Sequence, residues 1–182
     1  MNLDHIASAW TGHRDFATWL VQHMQPETTV DLGVDYGYSS FVLAEHNPGH
    51  VYGVDVFEGD RGATYGSTLE QAQGYCDELG LTNVTFIKDT FENVARTWTK
   101  PVDILHIDGT HTHDAVAQDY QTWSPFVREG GVILFHDTVA FPEVGHVVRQ
   151  LPGYVGEFTH SAGLGILCTD PELAEHIRGR LP

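Results

Sequence analysis

The chain has 182 residues, with 9 Lys and Arg against 25 Asp and Glu and a formal charge of -16, an ordinary length for a single domain with a proper core. So acidic a balance repels phosphate-bearing duplexes and membrane surfaces, so the expected partner is a small neutral or cationic molecule, with no nucleic acid and no membrane. No apolar run is long enough to span a bilayer, no basic start leads into an apolar core, and Cys76 and Cys168 lie far apart in sequence; a cytoplasmic protein with reduced cysteines, and neither a disulfide framework nor a zinc ribbon, is expected.

Residues 3–24 read as helical in two pieces interrupted at Thr11-Gly12, with Phe16, Trp19, Leu20 and Met24 forming the apolar face of the second piece and Pro26 ending it. Residues 28–32 read as a buried strand running into Gly33-Val34-Asp35-Tyr36-Gly37, after which Ser39 or Ser40 is placed to cap a helix through Ala44. The second strand, 51–56, contains Asp55. A looser glycine-rich segment follows, its early part (58–66) expected to be mobile, and leads into a helix with Leu69, Ala72, Cys76 and Leu79 on one face. Residues 84–87 read as the third strand and 91–98 as a short helix.

The stretch 102–138 organises the rest. Two short β-branched runs, 104–107 and 132–135, stop at carboxylates, Asp108 and Asp137. Between them Val116, Tyr120, Trp123 and Val127, at intervals of four, three and four, trace one helical face, and Gly130-Gly131 breaks the chain before the next strand. Such strand–helix–strand crossovers are right-handed, so both strands point the same way and both carboxylates emerge at one sheet edge. In open α/β sheets that edge binds the ligand. Residues 144–151 read as helix, 154–159 and 165–169 as an antiparallel hairpin, and Asp170-Pro171-Glu172 as the cap of a last helix. The whole, residues 1–182, is then a single α/β domain, a three-layer sandwich around a seven-stranded sheet. It comprises an N-terminal helical segment (1–26), a core (28–169) and a C-terminal helix (170–182).

Gly33-x-x-x-Gly37 between a strand and a helix lets a ligand approach the backbone, although alone it fits an ordinary tight turn. Asp55, about 20 residues on, stands where Rossmann-like folds hold a ribose diol. Nicotinamide dinucleotide and S-adenosylmethionine then compete. Asp31 and Asp35 would oppose a pyrophosphate at the first helix N-terminus, whereas S-adenosylmethionine has no phosphate and carries a cationic ammonium and sulfonium. Asp35 itself reads more simply as a solvated loop carboxylate. At the other half of the edge Asp108, His111, His113, His136 and Asp137 converge, as either a divalent-metal site or a charged, hydrated rim. His136 is evenly balanced between metal ligand and hydrogen-bond donor, His113 reads as an exposed first-turn residue, His106 as a satisfied core histidine and Gly109 as a turn residue.

The run Val30-Asp31-Leu32-Gly33 to Gly37-Tyr38-Ser39-Ser40 resembles motif I of class I S-adenosylmethionine-dependent methyltransferases, and its Gly-Tyr-Ser is similar to the catechol O-methyltransferase form. The resemblance covers roughly residues 28–169 and implies a Rossmann-like, mostly parallel sheet with an antiparallel last strand. It implies that Asp31 and Gly33 hold the methionine portion, Ser39 its carboxylate, Asp55 the ribose hydroxyls and Asp89 of Lys88-Asp89-Thr90 the adenine amino group, with Gly37, Val56, Thr90 and Asp108 completing the cofactor set. Asp35 departs from the commoner glycine.

In the metal-dependent O-methyltransferases of the catechol, caffeoyl-CoA and macrolide-sugar types an Asp ends the fourth strand, an acidic residue ends the fifth, and a base lies three residues after the first Asp. Asp108, Asp137 and His111 match. The third ligand departs, since Thr138 stands where catechol types have Asn and His136 where the macrolide-sugar type has Glu. The resemblance therefore implies catalytic His111 and Asp108, and a cation, magnesium or manganese, on Asp108, His136 and Asp137; an imidazole ligand shifts preference from magnesium toward manganese, iron or zinc. The function expected is methyl transfer to a hydroxyl of a small molecule. A metal-dependent hydrolase or oxygenase built on the histidine-rich rim, and a cofactor-binding module without catalysis, stay open alternatives, as does a homo-oligomer.

Overall fold

In the computed structural model, which describes residues 1–58 and 68–182, five strands run parallel: β1 (Thr28–Leu32), β2 (His50–Asp55), β3 (Val84–Lys88), β4 (Val102–Ile107) and β5 (Val127–His136). A hairpin of β6 (Tyr154–Phe158) and β7 (Leu164–Cys168) joins them, β7 lying antiparallel to β5. The sheet order is β3-β2-β1-β4-β5-β7-β6. This is the expected seven-stranded, mostly parallel α/β sheet with an antiparallel last strand. The order reverses between β1 and β4, which opens a crevice at their carboxyl ends.

Helices α1 (Arg14–Met24), α2 (Tyr38–Ala44), α3 (Thr68–Glu78), α4 (Phe91–Ala95), α5 (His113–Trp123), α6 (Pro142–Val148) and α7 (Pro171–Arg178) cover the sheet. Because strand side chains alternate, Ile104, Val132 and Leu134 pack with Leu20, Phe41 and Ile177 of α1, α2 and α7. Leu105, Ile107, Ile133 and Phe135 pack instead with Val94, Trp123 and Val148 of α4, α5 and α6. The same alternation sets Asp31, His106 and His136 on the first face.

Several boundaries differ from the sequence reading. Residues 3–8 are not helical; Ser8 caps a 3₁₀ turn over Ala9–His13, accepting from Trp10 N at 3.1 Å, and Thr11-Gly12 lies inside that turn. Neither Ser39 nor Ser40 caps α2: Gly37, at φ 92°, stands at its N-cap, and both hydroxyls turn inward. Val127 does not extend the α5 face, because Pro125 cannot continue the helix and a 3₁₀ turn over Ser124–Phe126 delivers the chain straight into β5. Gly130-Gly131 does not break the chain before the strand. β5 runs through it, with a register shift against β4 between Val102 and Ile104, so the pair marks a bulge. α4 ends at Ala95, and α6 begins two residues early at Pro142, the position where a missing N–H is harmless. Of the stretch 58–66 expected to be mobile, residues 59–66 lie outside the described residues. Asp170 caps α7 as expected, accepting from Leu173 N at 2.7 Å. Cys76 and Cys168 are free and buried. Among the described residues no helix is long and apolar enough to cross a membrane.

Candidate active site

The register brings the glycine loop onto the end of β4. Asp108 N donates to Leu32 O at 2.8 Å and Gly33 N to Val54 O at 3.0 Å. A Cβ on Gly33 would stand 1.9 Å from Asp108 O, and its φ is 93°, so only glycine fits. Asp35 follows at φ 47°, a left-handed conformation that Asp tolerates better than most residues, which explains how this chain does without the commoner glycine. Asp55 ties the loop down: its Oδ2 accepts from Val34 N (2.8 Å) and Asp35 N (3.0 Å), and its Oδ1 from Phe57 N (2.7 Å). An ionised carboxylate offers about four acceptor sites, so capacity remains for a ligand hydroxyl.

Beneath the loop Asp31 is fully buried. It accepts from Ser39 Oγ at 2.8 Å, from Ser40 Oγ, and from His106 Nδ1 at 2.6 Å. Trp10 Nε1 donates to His106 Nε2. Asp31 therefore supports the loop from below and does not line the crevice, while Ser39 both donates to it and reaches the crevice wall. His106 is a fully buried core histidine with both ring nitrogens engaged.

At the reacting end His111 Nε2 lies 2.7 Å from Asp137 Oδ2 and 3.4 Å from Asp108 Oδ1, and its ring stacks on Phe141 with centroids 4.2 Å apart. One donor atom from each of Asp108, His111 and Asp137 lies within 4.8 Å of the others. His136 completes the cluster. The Ser161 carbonyl accepts from Nε2 of both His13 and His136, each at 3.0 Å, because a carbonyl can only accept. That puts a proton on His136 Nε2 and turns Nδ1 toward Asp108 Oδ2 (3.2 Å) and Asp137 Oδ2 (3.6 Å), where it is buried without a hydrogen-bond partner of good geometry. His113 lies apart at the start of α5, exposed and beside Asp114.

The electrostatics follow. Burial alone would raise the Asp108 carboxyl, but His111 and His136 outweigh it and hold it well below the usual carboxylate range. Asp137 is lowered in the same way, against its burial, by the same two imidazoles. Conversely Asp108 and then Asp137 push His111 up to about 9, and they outweigh burial to push His136 up to about 10. Without a cation the cluster is a set of paired charges.

A cavity of about 690 Å³ runs along this edge, walled by Gly33, Asp55, Val56, Thr90, Asp108, His111 and Asp137, and reaching Glu92, Gln118 and Asp119. A smaller one, about 160 Å³, adjoins it under Ser8, Trp10, Ser39 and His136 and shares Asp108, His111 and Asp137. Of the residues expected to bind cofactor, Gly33, Ser39, Asp55, Val56, Thr90 and Asp108 are thus brought together. Asp31 lies beneath, Gly37 serves the turn, and Asp89 sits outside the lining. The Asp89 carboxylate is exposed and accepts from Asn93 Nδ2 and Thr90 N, both at 2.8 Å, which lowers it.

Asp119 was not singled out by the sequence reading. It is 7% exposed, three residues after Val116 and four before Trp123, so it lies on the face that reading took as apolar. A carboxylate at a core position of an amphipathic helix was the available signal. Gly109 makes room for it: a Cβ there would meet Asp119 Oδ2 at 2.9 Å and the Phe91 ring at 2.7 Å.

Residues 30–138 match the methyltransferase-domain family. The chain belongs to this methyltransferase family. An uncharacterized protein, y4gI of Sinorhizobium fredii, is 32% identical over 92% of the chain; the methyltransferase domain described above spans about a fifth (20%) of that protein's length. Among solved structures, cofactor-bound Rv0187 from MTB superposes with a TM-score of 0.71 at 16% identity, over 90% of this chain and 81% of that one. An O-methyltransferase from Bacillus cereus in complex with SAH gives 0.66 at 15% identity, over 87% and 81%. At such identities the likeness establishes the shared methyltransferase fold.

Proposed function

We propose that this domain transfers the methyl group of S-adenosylmethionine to a hydroxyl of a small acceptor, assisted by a divalent cation. The observation that carries this reading is continuity: Gly33 and Asp55 line the same cavity as Asp108, His111 and Asp137. A donor with its ribose at Asp55 would present its sulfonium to the acidic cluster. No Lys or Arg is among the described lining residues, which suits a cationic donor and disfavours a pyrophosphate. The family match favours methyl transfer over a hydrolase or oxygenase built on the same rim. Val56 and Phe141, two of the exposed large hydrophobic residues among the described ones, line this cavity, so an acceptor with an apolar body fits it.

The donor set fits a divalent cation. Asp108 and Asp137 supply oxygens, and the buried Nδ1 of His136, 3.2 Å from Asp108 Oδ2, faces them with its ring fixed by the Ser161 carbonyl, the way a second shell orients an imidazole ligand. A cation held there would lower the pKa of a hydroxyl presented to it. His111 takes the proton on Nε2. It is held protonated while Asp108 and Asp137 are its partners, and becomes a base when those carboxylates are committed elsewhere. S-adenosylmethionine, when bound, would supply the methyl group to the deprotonated acceptor oxygen, the C–S electron pair staying on sulfur so that the two opposite charges cancel.

Calorimetric titration of S-adenosylhomocysteine into the protein tests the reading. Micromolar binding is expected, and no binding of either S-adenosylhomocysteine or S-adenosylmethionine would sink it.

A further inference from the structure

Asp119 is a buried carboxyl that the catalytic scheme leaves without a task. It comes from α5, and it accepts no hydrogen bond from any described residue. Yet it lines the large cavity, under Gly109 and beside Phe91. Burying a carboxyl without a partner costs several kcal/mol unless something in the functional state satisfies it. Glu92, also on the cavity wall, adds like charge nearby.

The cavity itself indicates what that partner is. If the ribose is held at Asp55 and the reacting sulfur lies at Asp108, His111 and Asp137, the base is left the remaining compartment. The same cavity is lined by Val56, Thr90, Phe91 and Gly109, apolar or small surfaces suited to a flat ring, and by Glu92, Gln118 and Asp119. Adenine's exocyclic amino group is a donor that such a carboxyl lacks.

We infer that Asp119 reads the 6-amino group of the donor's adenine: the residue is 7% exposed, accepts no hydrogen bond from any described residue, and lines the cavity that the base must occupy. The inference rests on the S-adenosylmethionine reading above. It assigns base recognition to α5, in place of Asp89 at the end of β3, whose carboxylate is exposed and already engaged by Asn93 and Thr90. Burial first, then Glu92, push the Asp119 carboxyl up to about 7. Near neutral pH it therefore accepts through either form, and its protonated form can also donate to an adjacent ring nitrogen.

The test compares S-adenosylhomocysteine with its analogue carrying hydrogen in place of the 6-amino group, by calorimetry. A hydrogen bond to a charged acceptor corresponds to roughly a 10- to 100-fold preference, so the wild type should bind the amino compound at least about 10-fold more tightly. In Asp119→Leu, which has no acceptor, the preference should fall to within about 2-fold of unity, while Asp89→Ala should keep it. Removing a buried carboxyl should not unfold the protein, and the wild-type preference is informative without any variant. Equal binding of the two ligands by the wild type overturns the inference, as does an Asp119→Leu protein that keeps the full preference. Failure of the wild type to bind either ligand overturns the parent reading and this one with it, and is distinguishable because no preference can then be measured.

Discussion

The indole N–H of Trp10 ends 3.1 Å from Nε2 of His106. An indole nitrogen only donates, so this imidazole nitrogen accepts and the ring proton sits on Nδ1, where it meets Asp31 at 2.6 Å. The N-terminal segment and the start of α2, behind the glycine loop, are thereby joined through one fixed tautomer. His106→Phe should strip Asp31 of a donor and leave the Trp10 N–H unpaired, destabilising the fold by roughly 3 kcal/mol or more. Trp10→Phe removes a single neutral bond and some packing, and should cost roughly 1 to 3 kcal/mol. Urea denaturation of both variants checks the order; equal effects would mean that the network does not converge on Asp31.

The strands were readable because β-branched runs ending in Asp or Gly have few other solutions, and the positions of Asp108 and Asp137 followed from crossover handedness alone. What could not be read was lateral and depth information. Asp31 stands at a strand end in sequence, but it shares the face of His106 and is roofed by the loop that follows it. Asp119 was hidden by a template that admits only apolar residues, and Val127 was counted into a helix that Pro125 stops. The tautomer of His136 depends on Ser161, 25 residues away on the turn of an antiparallel hairpin, and no local pattern reports it.

Gly33 meets two separate demands, a left-handed φ and a Cβ position already filled by the Asp108 carbonyl. Gly33→Ala should destabilise the protein by roughly 2 kcal/mol or more and abolish S-adenosylhomocysteine binding, because the loop must lift off β4. A stable Gly33→Ala protein with wild-type affinity would show that the loop is free to move there. Thermal melts and calorimetry on one preparation decide it.

Metal binding separates the three imidazole and carboxylate roles. Asp137→Asn and His136→Ala should each weaken manganese binding by about 10-fold or more, with activity partly restored by excess metal, whereas His111→Ala should keep most of the affinity. Chelation should stop transfer while S-adenosylhomocysteine still binds. If His111→Ala loses metal as severely as His136→Ala, His111 is a ligand and the base lies elsewhere.

Asp119 should leave a signature in the pH dependence of stability. Its folded pKa, about 7, lies above the unfolded value. The stability it confers is therefore complete below about pH 4 and is lost as pH rises through about 7. Asp119→Leu should remove this slope, so its stability relative to wild type should improve from pH 5 to pH 8 by on the order of 2 kcal/mol. Urea titrations at the two pH values measure this, and a constant difference would mean that the carboxyl is not perturbed.

In the proposed mechanism His111 is the residue that takes the acceptor proton. It touches both carboxylates of the cluster and stacks on Phe141, which sits 41% exposed where an acceptor would enter. If it removes the acceptor proton, His111→Ala should lower turnover by roughly 100-fold or more with little change in S-adenosylhomocysteine affinity. Part of the loss should return at high pH, where hydroxide can take the proton. Phe141→Ala removes only the stacking surface, so it should raise the acceptor's KM and loosen the imidazole, with a smaller fall in kcat. Comparing kcat, KM and cofactor affinity for the two variants distinguishes proton transfer from positioning. Wild-type turnover in His111→Ala at pH 7 would remove it from the mechanism.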